Sequence, residues 1–404
     1  QRKALAELYS AVAGSSVSTD LPEAIKEAVS KAASELQRAG SNGVIVTGIQ
    51  DAGAQALVLE MNAMLGSKAF DAETPILTRQ GSNAEVAKLV ADMKAGNVGA
   101  IIMSGVNPMY TLPNAADFAD GLEKTELSVA FSMKADETAV KCQYIAAAPH
   151  YLESWGDAEM VKGHFALMQP TIRPLFDTKQ FQEMLMTLNG EQETYHDYLK
   201  GYWNSNILNG TSWNQALHDG VYAGTASVST DTTSTDTIED DVTEAGSSAG
   251  AAARALASTA SNSMEITLYS MTGMGDGQQA NNPWLQEFPD PLTRTTWDNF
   301  LTMSAADAKE LGLFLEPSTF FSQEAHDATG GLNGKYANVS INGGSPVKVP
   351  VIIQPGQAKG SVGMAFGYGK KEGLKAEMQT GVNAYPLYAD FNNVQSVSIT
   401  AADG

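Results

Sequence analysis

Short apolar runs alternate with amphipathic helical stripes through the first third of this 404-residue chain, and that alternation limits the fold more than any other feature. Residues 22–38 put Ile25, Val29, Ala32 and Leu36 on one stripe, with Pro22 in the first turn and Gly40 beyond the end. Residues 43–48 read as a short buried strand, followed by a helix around 54–65. Ser82-Asn83-Ala84-Glu85 has the form of a capping box and opens a helix whose face is Val86, Leu89, Val90 and Met93, stopping near Gly96. Residues 99–104, 127–133 and 143–147 supply three more apolar strands. Near-continuous apolar strands separated by helices predict a parallel sheet covered on both faces, that is, an open α/β domain.

The texture changes after residue 224. Residues 225–255 are dominated by Ser, Thr, acids, Gly and Ala, with few large apolar side chains to offset the entropy of ordering. They read as an acidic linker or insertion over 225–260, whose deletion from Ser227 to Gly250 is expected to leave both flanks folded. Beyond it lies a strand-and-turn pattern. Residues 265–271 read as a strand, Asn342-Gly343-Gly344 as a turn, and Val347, Val349, Val351 and Ile353 share one strand face by period two. One short helix is signalled by Ser304 as N-cap, Asp307 three residues on, and Gly312 after its last turn. The second half therefore reads as a mostly β, barrel-like domain.

Charge and cysteine count narrow the function. With 25 Lys and Arg against 46 Asp and Glu, the net charge of −21 disfavours nucleic acid, which needs clustered cations. No apolar run approaches the ~20 residues of a membrane-spanning helix. A single cysteine, Cys142, cannot form an internal disulfide, a Cys-rich zinc site or an iron–sulfur cluster.

Several motifs imitate chemistry. Gly48-Ile49-Gln50-Asp51-Ala52-Gly53 has phosphate-loop spacing, but Ala54-Gln55 stands where Lys and Ser or Thr are needed, so a plain turn into a helix is preferred. Asn107, after the strand at 99–104, is placed either to meet a ligand at the carboxyl end of the sheet or to satisfy its own turn. His150 and Glu153 lack further ligands at metal-site spacing, and Cys142 with His150 lacks an orienting third group, so packing is the preferred reading for both. Gly273-Met274-Gly275-Asp276-Gly277 is a Gly-rich loop that would let a ligand approach, although Asp276 repels phosphate. No catalytic or metal-binding set emerges.

Taken in order, residues 100–110, 136–139, 153–157 and 169–176 resemble the third domain of molybdopterin oxidoreductases. Residues 273–277, 281–298, 304–313, 354–357 and 382–387 resemble that superfamily's C-terminal double-psi barrel, which binds the pterin dinucleotide. The wording at His150–Asp157 and Trp284–Pro291 is similar to the large iron–sulfur subunit family of bacterial alternative complex III. The resemblance implies an α/β domain at 1–224, the linker at 225–260, the barrel at 261–390, and a connector at 391–404 to a missing iron–sulfur half. It further implies a non-catalytic scaffold that has lost molybdopterin, on the periplasmic face of the bacterial inner membrane. Its partners would be a multihaem cytochrome c and quinol-binding membrane subunits of a quinol-oxidising respiratory complex. Asn107, Trp155, Gly275, Asp276 and Asn383 are the candidates for a vestigial cofactor cleft, filled by Trp155, Met274, Tyr110 and Tyr385. The competing readings are a working molybdopterin enzyme, with the cofactor held by Asn107, the 273–277 loop and Asn383, and a free-standing binding protein.

Overall fold

Side-chain caps and glycines decide where helices begin and stop. The computed structural model describes residues 1–71, 73–78, 80–224, 245–259, 264–314 and 332–403. Helix α1 (Arg2–Ala13) ends at Gly14, with φ of 67°. Helix α2 (Glu23–Ala39) follows Pro22 and ends at Gly40 as expected, although Ala33 is its one fully buried residue. Helix α3 (Ala52–Leu65) starts at Asp51, whose carboxylate accepts the Ala54 N–H at 3.0 Å. Asp51 thus caps the helix where a phosphate loop would leave its amides open.

The stretch at 43–48, expected as a strand, is not one. Asn62 of α3 accepts the Ile45 N–H and donates to the Ile45 carbonyl, both at 2.8 Å. One amide side chain does the work of a sheet neighbour, and Val46 is left 84% exposed.

The chain divides into two compact units interleaved along the sequence: residues 1–68, 107–118 and 244–404, and residues 69–106 and 119–243. In the second unit, α4 (Asn83–Ala95) is capped by Ser82, which accepts the Glu85 N–H, and stops at Gly96. Strand β1 (Ala100–Ser104) follows. The chain then visits the first unit through α5 (Pro108–Thr111) and the start of α6 (Ala115–Leu122). Strands β2 (Leu127–Ser132) and β3 (Tyr144–Ala147) complete a parallel sheet in the order β1-β2-β3.

One face of this sheet is buried through Ile101, Met103 and Ala130. On the other, where Ile102, Val129 and Tyr144 stand in register, Ile102 is 44% exposed. Phe181 packs edge-on against Phe131 at that face's far end, 5.0 Å away. The expected covering of both faces is therefore only partial.

An antiparallel sheet of β4 (Gly156–Val161), β5 (His164–Met168) and, later, β6 (Val221–Ala223) was not foreseen. Between β5 and β6 run α7 (Phe181–Leu188), α8 (Tyr195–Asn206) and α9 (Trp213–Asp219). Their core gathers Phe165, Leu199, Trp203 and Trp213.

Back in the first unit, α10 (Ala245–Ala257) occupies part of the span expected as linker; residues 225–244 lie outside the described residues. Ala249, Ala253 and Leu256 are buried with Leu5, Ala6 and Tyr9 of α1 and Leu57 and Met61 of α3. The approach is close: a β-carbon on Gly53 would stand 3.0 Å from that of Ala252. Small side chains that look like low complexity in sequence are what permit this contact.

The rest is one seven-stranded mixed sheet with two short helices: β7 (Glu265–Tyr269), α11 (Pro283–Glu287), β8 (Leu301–Met303), α12 (Ala305–Glu310), β9 (Leu332–Ser340), β10 (Val347–Ile353), β11 (Ser361–Ala365), β12 (Val394–Ser396) and β13 (Ser398–Ala402). Its order is β12-β7-β11-β8-β10-β9-β13, with β7–β11 and β8–β10 parallel and the other pairs antiparallel. Val349, Val351 and Ile353 enter the core by the expected alternation. Asn342 and Gly343, with φ of 52° and 72°, make the tight hairpin turn between β9 and β10. Ser304 caps α12 by accepting the Asp307 N–H. Residues 394–402, expected within a connector, are instead strands of this sheet. No helix among the described residues is long and apolar enough to cross a membrane.

Candidate functional site

Because β7 and β11 are parallel neighbours, the loops leaving their carboxyl ends emerge side by side. This is the edge where α/β sheets gather ligands. The two loops touch through glycine. A β-carbon on Gly277 would come within 3.0 Å of the Gly367 carbonyl, and one on Gly367 within 3.0 Å of the Gly275 carbonyl. Their φ values of 94° and 100° exclude other residues as firmly as the lack of space does.

Tyr110 of α5 reaches into this junction and is 3% exposed. Its hydroxyl donates to the Tyr368 carbonyl at 2.7 Å, and its ring meets that of Tyr385 edge-on at 5.2 Å. Lys370, itself buried, holds its Nζ 4.8 Å from the centre of the Tyr110 ring. Asn383 ties the third loop in: its Nδ2 donates to the Tyr110 carbonyl at 3.1 Å and its Oδ1 accepts the Tyr385 N–H at 3.0 Å. Tyr385 stacks on Phe366 at 4.4 Å and donates to the Asp276 carbonyl at 3.4 Å.

The expected candidates thus divide. Asn107 begins α5, and its carbonyl accepts the Tyr110 and Thr111 N–H groups at 3.0 Å. Gly275 sits at φ of 54°, and Asp276 accepts the Gln278 N–H at 3.0 Å. These two residues and Asn383 are joined around Tyr110 and Tyr385, and Met274 is buried as well. Trp155 belongs to the second unit, against His196 at 4.5 Å and Trp213 at 6.5 Å. Sequence reading missed Phe366, Tyr368 and Lys370; the Gly367-Tyr368-Gly369 spacing after a strand was the available signal.

Electrostatics make the tyrosines donors, not bases. Burial pushes the Tyr368 phenol up to about 12, with Asp298 and Asp290 adding to it. Burial, then the charge of Asp276, raises Tyr385 well above its ordinary value. Elsewhere, His150 is structural: its Nδ1 accepts the Leu152 N–H while Glu153 accepts the His150 N–H. Cys142 donates to the Thr138 carbonyl at 3.4 Å, and burial, then Asp136, raises its thiol pKa. No group of three metal-ligating side chains occurs among the described residues.

No protein-family model matches the chain. Over 112 residues it is 34% identical to the menaquinone reductase, molybdopterin-binding-like subunit, of Nitratidesulfovibrio vulgaris (strain Hildenborough). That stretch is 26% of this chain and 16% of the relative, so the chain matches only a minor part of that subunit's length. Among solved structures, acetylene hydratase from Pelobacter acetylenicus is similar with a TM-score of 0.52 at 13% identity, over 78% of this chain and 46% of that one. In fold, and over part of its sequence, the chain is molybdopterin-oxidoreductase-like.

Proposed function

We propose that this chain is a non-catalytic, molybdoenzyme-derived scaffold within a quinone-linked respiratory oxidoreductase complex. The observation that carries the reading is the Tyr110 plug. The loops that would cradle a pterin dinucleotide are joined to one another through Tyr110, Asn383 and Tyr385. A dinucleotide brings phosphates that need open donors, whereas the Asn383 amide and the Tyr110 and Tyr385 hydroxyls already donate to backbone carbonyls. These residues do not fit the cofactor.

The respiratory setting draws support from the partial identity to a subunit named for menaquinone reductase. The finer assignment is to the large iron–sulfur subunit of an alternative complex III, on the periplasmic face of the bacterial inner membrane. Iron–sulfur clusters would lie in another part of that subunit. A multihaem cytochrome c and quinol-binding membrane subunits would be its partners. The test is elemental and pterin analysis of the complex purified from its native membrane through this chain. Iron and haem without molybdenum, tungsten or a fluorescent pterin is the expected result. Stoichiometric molybdenum or tungsten with released pterin would overturn the reading in favour of a working molybdopterin enzyme.

A further inference from the structure

The second unit holds a cavity of about 460 Å³, lined by residues between 149 and 183. Its volume falls within the range of about 300–1,000 Å³ usual for small-molecule sites. Pro149, Trp155, Pro170, Ile172 and Pro174 give it apolar walls.

The walls are held by bonds to the backbone. Gln180 clamps Trp155, accepting its N–H at 3.2 Å and donating to its carbonyl at 2.8 Å. The Thr171 and Ile172 N–H groups both donate to the Leu152 carbonyl, at 2.7 and 3.1 Å, and the Leu175 N–H donates to the Glu153 carboxylate at 3.2 Å. These bonds fasten the segment 171–175 to the turn at 151–153. The cavity is thus built without a ligand, and a preformed site spares the ligand the cost of ordering it.

The charge on the lining selects the ligand. Two carboxylates, Glu153 and Glu183, stand against one guanidinium, that of Arg173. Both glutamates are half-buried, whereas Arg173 is exposed. Water and salt screen an exposed charge far more than a half-buried one, so the field inside the cavity is negative. Glu153 is already committed, accepting the His150 and Leu175 N–H groups at 3.1 and 3.2 Å. Glu183, in the first turn of α7, has no hydrogen bond to its carboxylate and no ion pair among the described residues. It is the open acceptor beside the apolar walls, and a charged donor makes the strongest hydrogen bond to such a group.

We propose that this cavity binds a small organic monocation with an apolar body, its ammonium group on Glu183 and its body against the Trp155 and proline walls. The test is calorimetric titration of the full chain with the cationic 2-naphthylmethylamine, the neutral 2-naphthylmethanol and the anionic 2-naphthoate. Sodium chloride at about 150 mM shortens the screening length to about 8 Å and so suppresses the pull of distant acids on the probes. The amine should bind saturably and the alcohol about tenfold more weakly, the difference a charged hydrogen bond makes, with naphthoate weaker still. Glu183→Gln should erase the preference for the amine over the alcohol, and Arg173→Gln should tighten amine binding, with unchanged circular dichroism in both variants. Equal binding of amine and alcohol, tighter binding of naphthoate, no saturable binding of any probe, or a folded Glu183→Gln variant that keeps the preference would each overturn the proposal.

Discussion

Tyr110 concentrates much of the first unit's loop order in one side chain. It is buried, donates to Tyr368, and packs against Tyr385 and Lys370. Tyr110→Ala should destabilise the chain by about 3–5 kcal/mol, the usual cost of emptying a buried aromatic site. Tyr110→Phe should cost about 1–2 kcal/mol, because the Tyr368 carbonyl loses its donor while the packing stays. Urea denaturation of the three proteins distinguishes the cases; equal stability of Tyr110→Ala and the parent would remove Tyr110 from its central role.

Asp298 poses a different problem at the same scale. One of its carboxylate oxygens is buried without a partner, and burial raises its pKa, opposed by the Asn299 N–H. A folded pKa above the unfolded one means that the folded state holds the proton more tightly. The contribution is therefore complete below the ordinary aspartate value of about 4 and is lost as pH rises through the folded value. Asp298→Asn should flatten that part of the stability–pH curve and leave the chain more stable at pH 7, by about 1 kcal/mol. Parallel curves for the two proteins would refute this. The residue-level reading from sequence singled out Tyr110, Tyr385 and Met274 because the resemblance aligned their loops, and all three are buried in the first unit. Trp155, named with them, packs in the second unit against His196 and Trp213, and nothing in a linear motif tells which unit a side chain packs into.

At the scale of elements, what was legible had a local cause. Helices α2, α4 and α12 announce themselves through Pro22, Ser82 and Ser304 and through the glycines that follow them. Strand β10 shows itself by strict alternation. What was illegible depended on distant partners. The β4–β5 hairpin carries Asp157, Glu159 and His164 among its apolar residues, which blurs the period-two signal. Helix α10 is an alanine-rich segment whose burial is conferred by α1 and α3. Ala253→Asp should destabilise the first unit by at least about 3 kcal/mol, because an unpaired charge would be buried. The exposed Ala255→Asp should stay within about 0.5 kcal/mol of the parent, as surface changes do. Similar melting curves for the two would place α10 outside the core. A deletion running from 227 to 250 takes the buried Ala249 with it, so it is expected to weaken this packing, contrary to the tolerance that composition implies.

The whole molecule carries −21 charges, and its described ion pairs, such as Lys88–Asp92 and Lys359–Glu310, are largely at the surface. Self-repulsion should therefore tax the folded state most at low ionic strength. Raising salt from about 10 mM to about 150 mM shortens the screening length from about 30 Å to about 8 Å. The unfolding temperature should rise across that range in sodium chloride, and a constant or falling value would show that the acidic charges are already spaced too widely to matter. Fold class was readable at this scale from the strand–helix alternation and the order of motifs. The interleaving of the two units was not, because a contact map at this range leaves no periodic trace in sequence.

That interleaving sets a timetable for synthesis. Asn393 accepts the Gln50 N–H and donates to the Gly48 carbonyl, bonds that span more than 340 residues of chain. At the ribosome's pace of about 5–20 residues per second, the early segment must wait roughly 17–70 s for that partner to emerge. Over roughly the first 10–40 s of that wait the apolar faces of α1 and α3 lack α10, which buries them in the finished fold. A nascent chain of this design offers exposed hydrophobic helices to chaperones until α10 has emerged. Moving residues 1–68 to follow the last strand, by circular permutation, would shorten that wait to seconds and should reduce aggregation during expression without altering the native core.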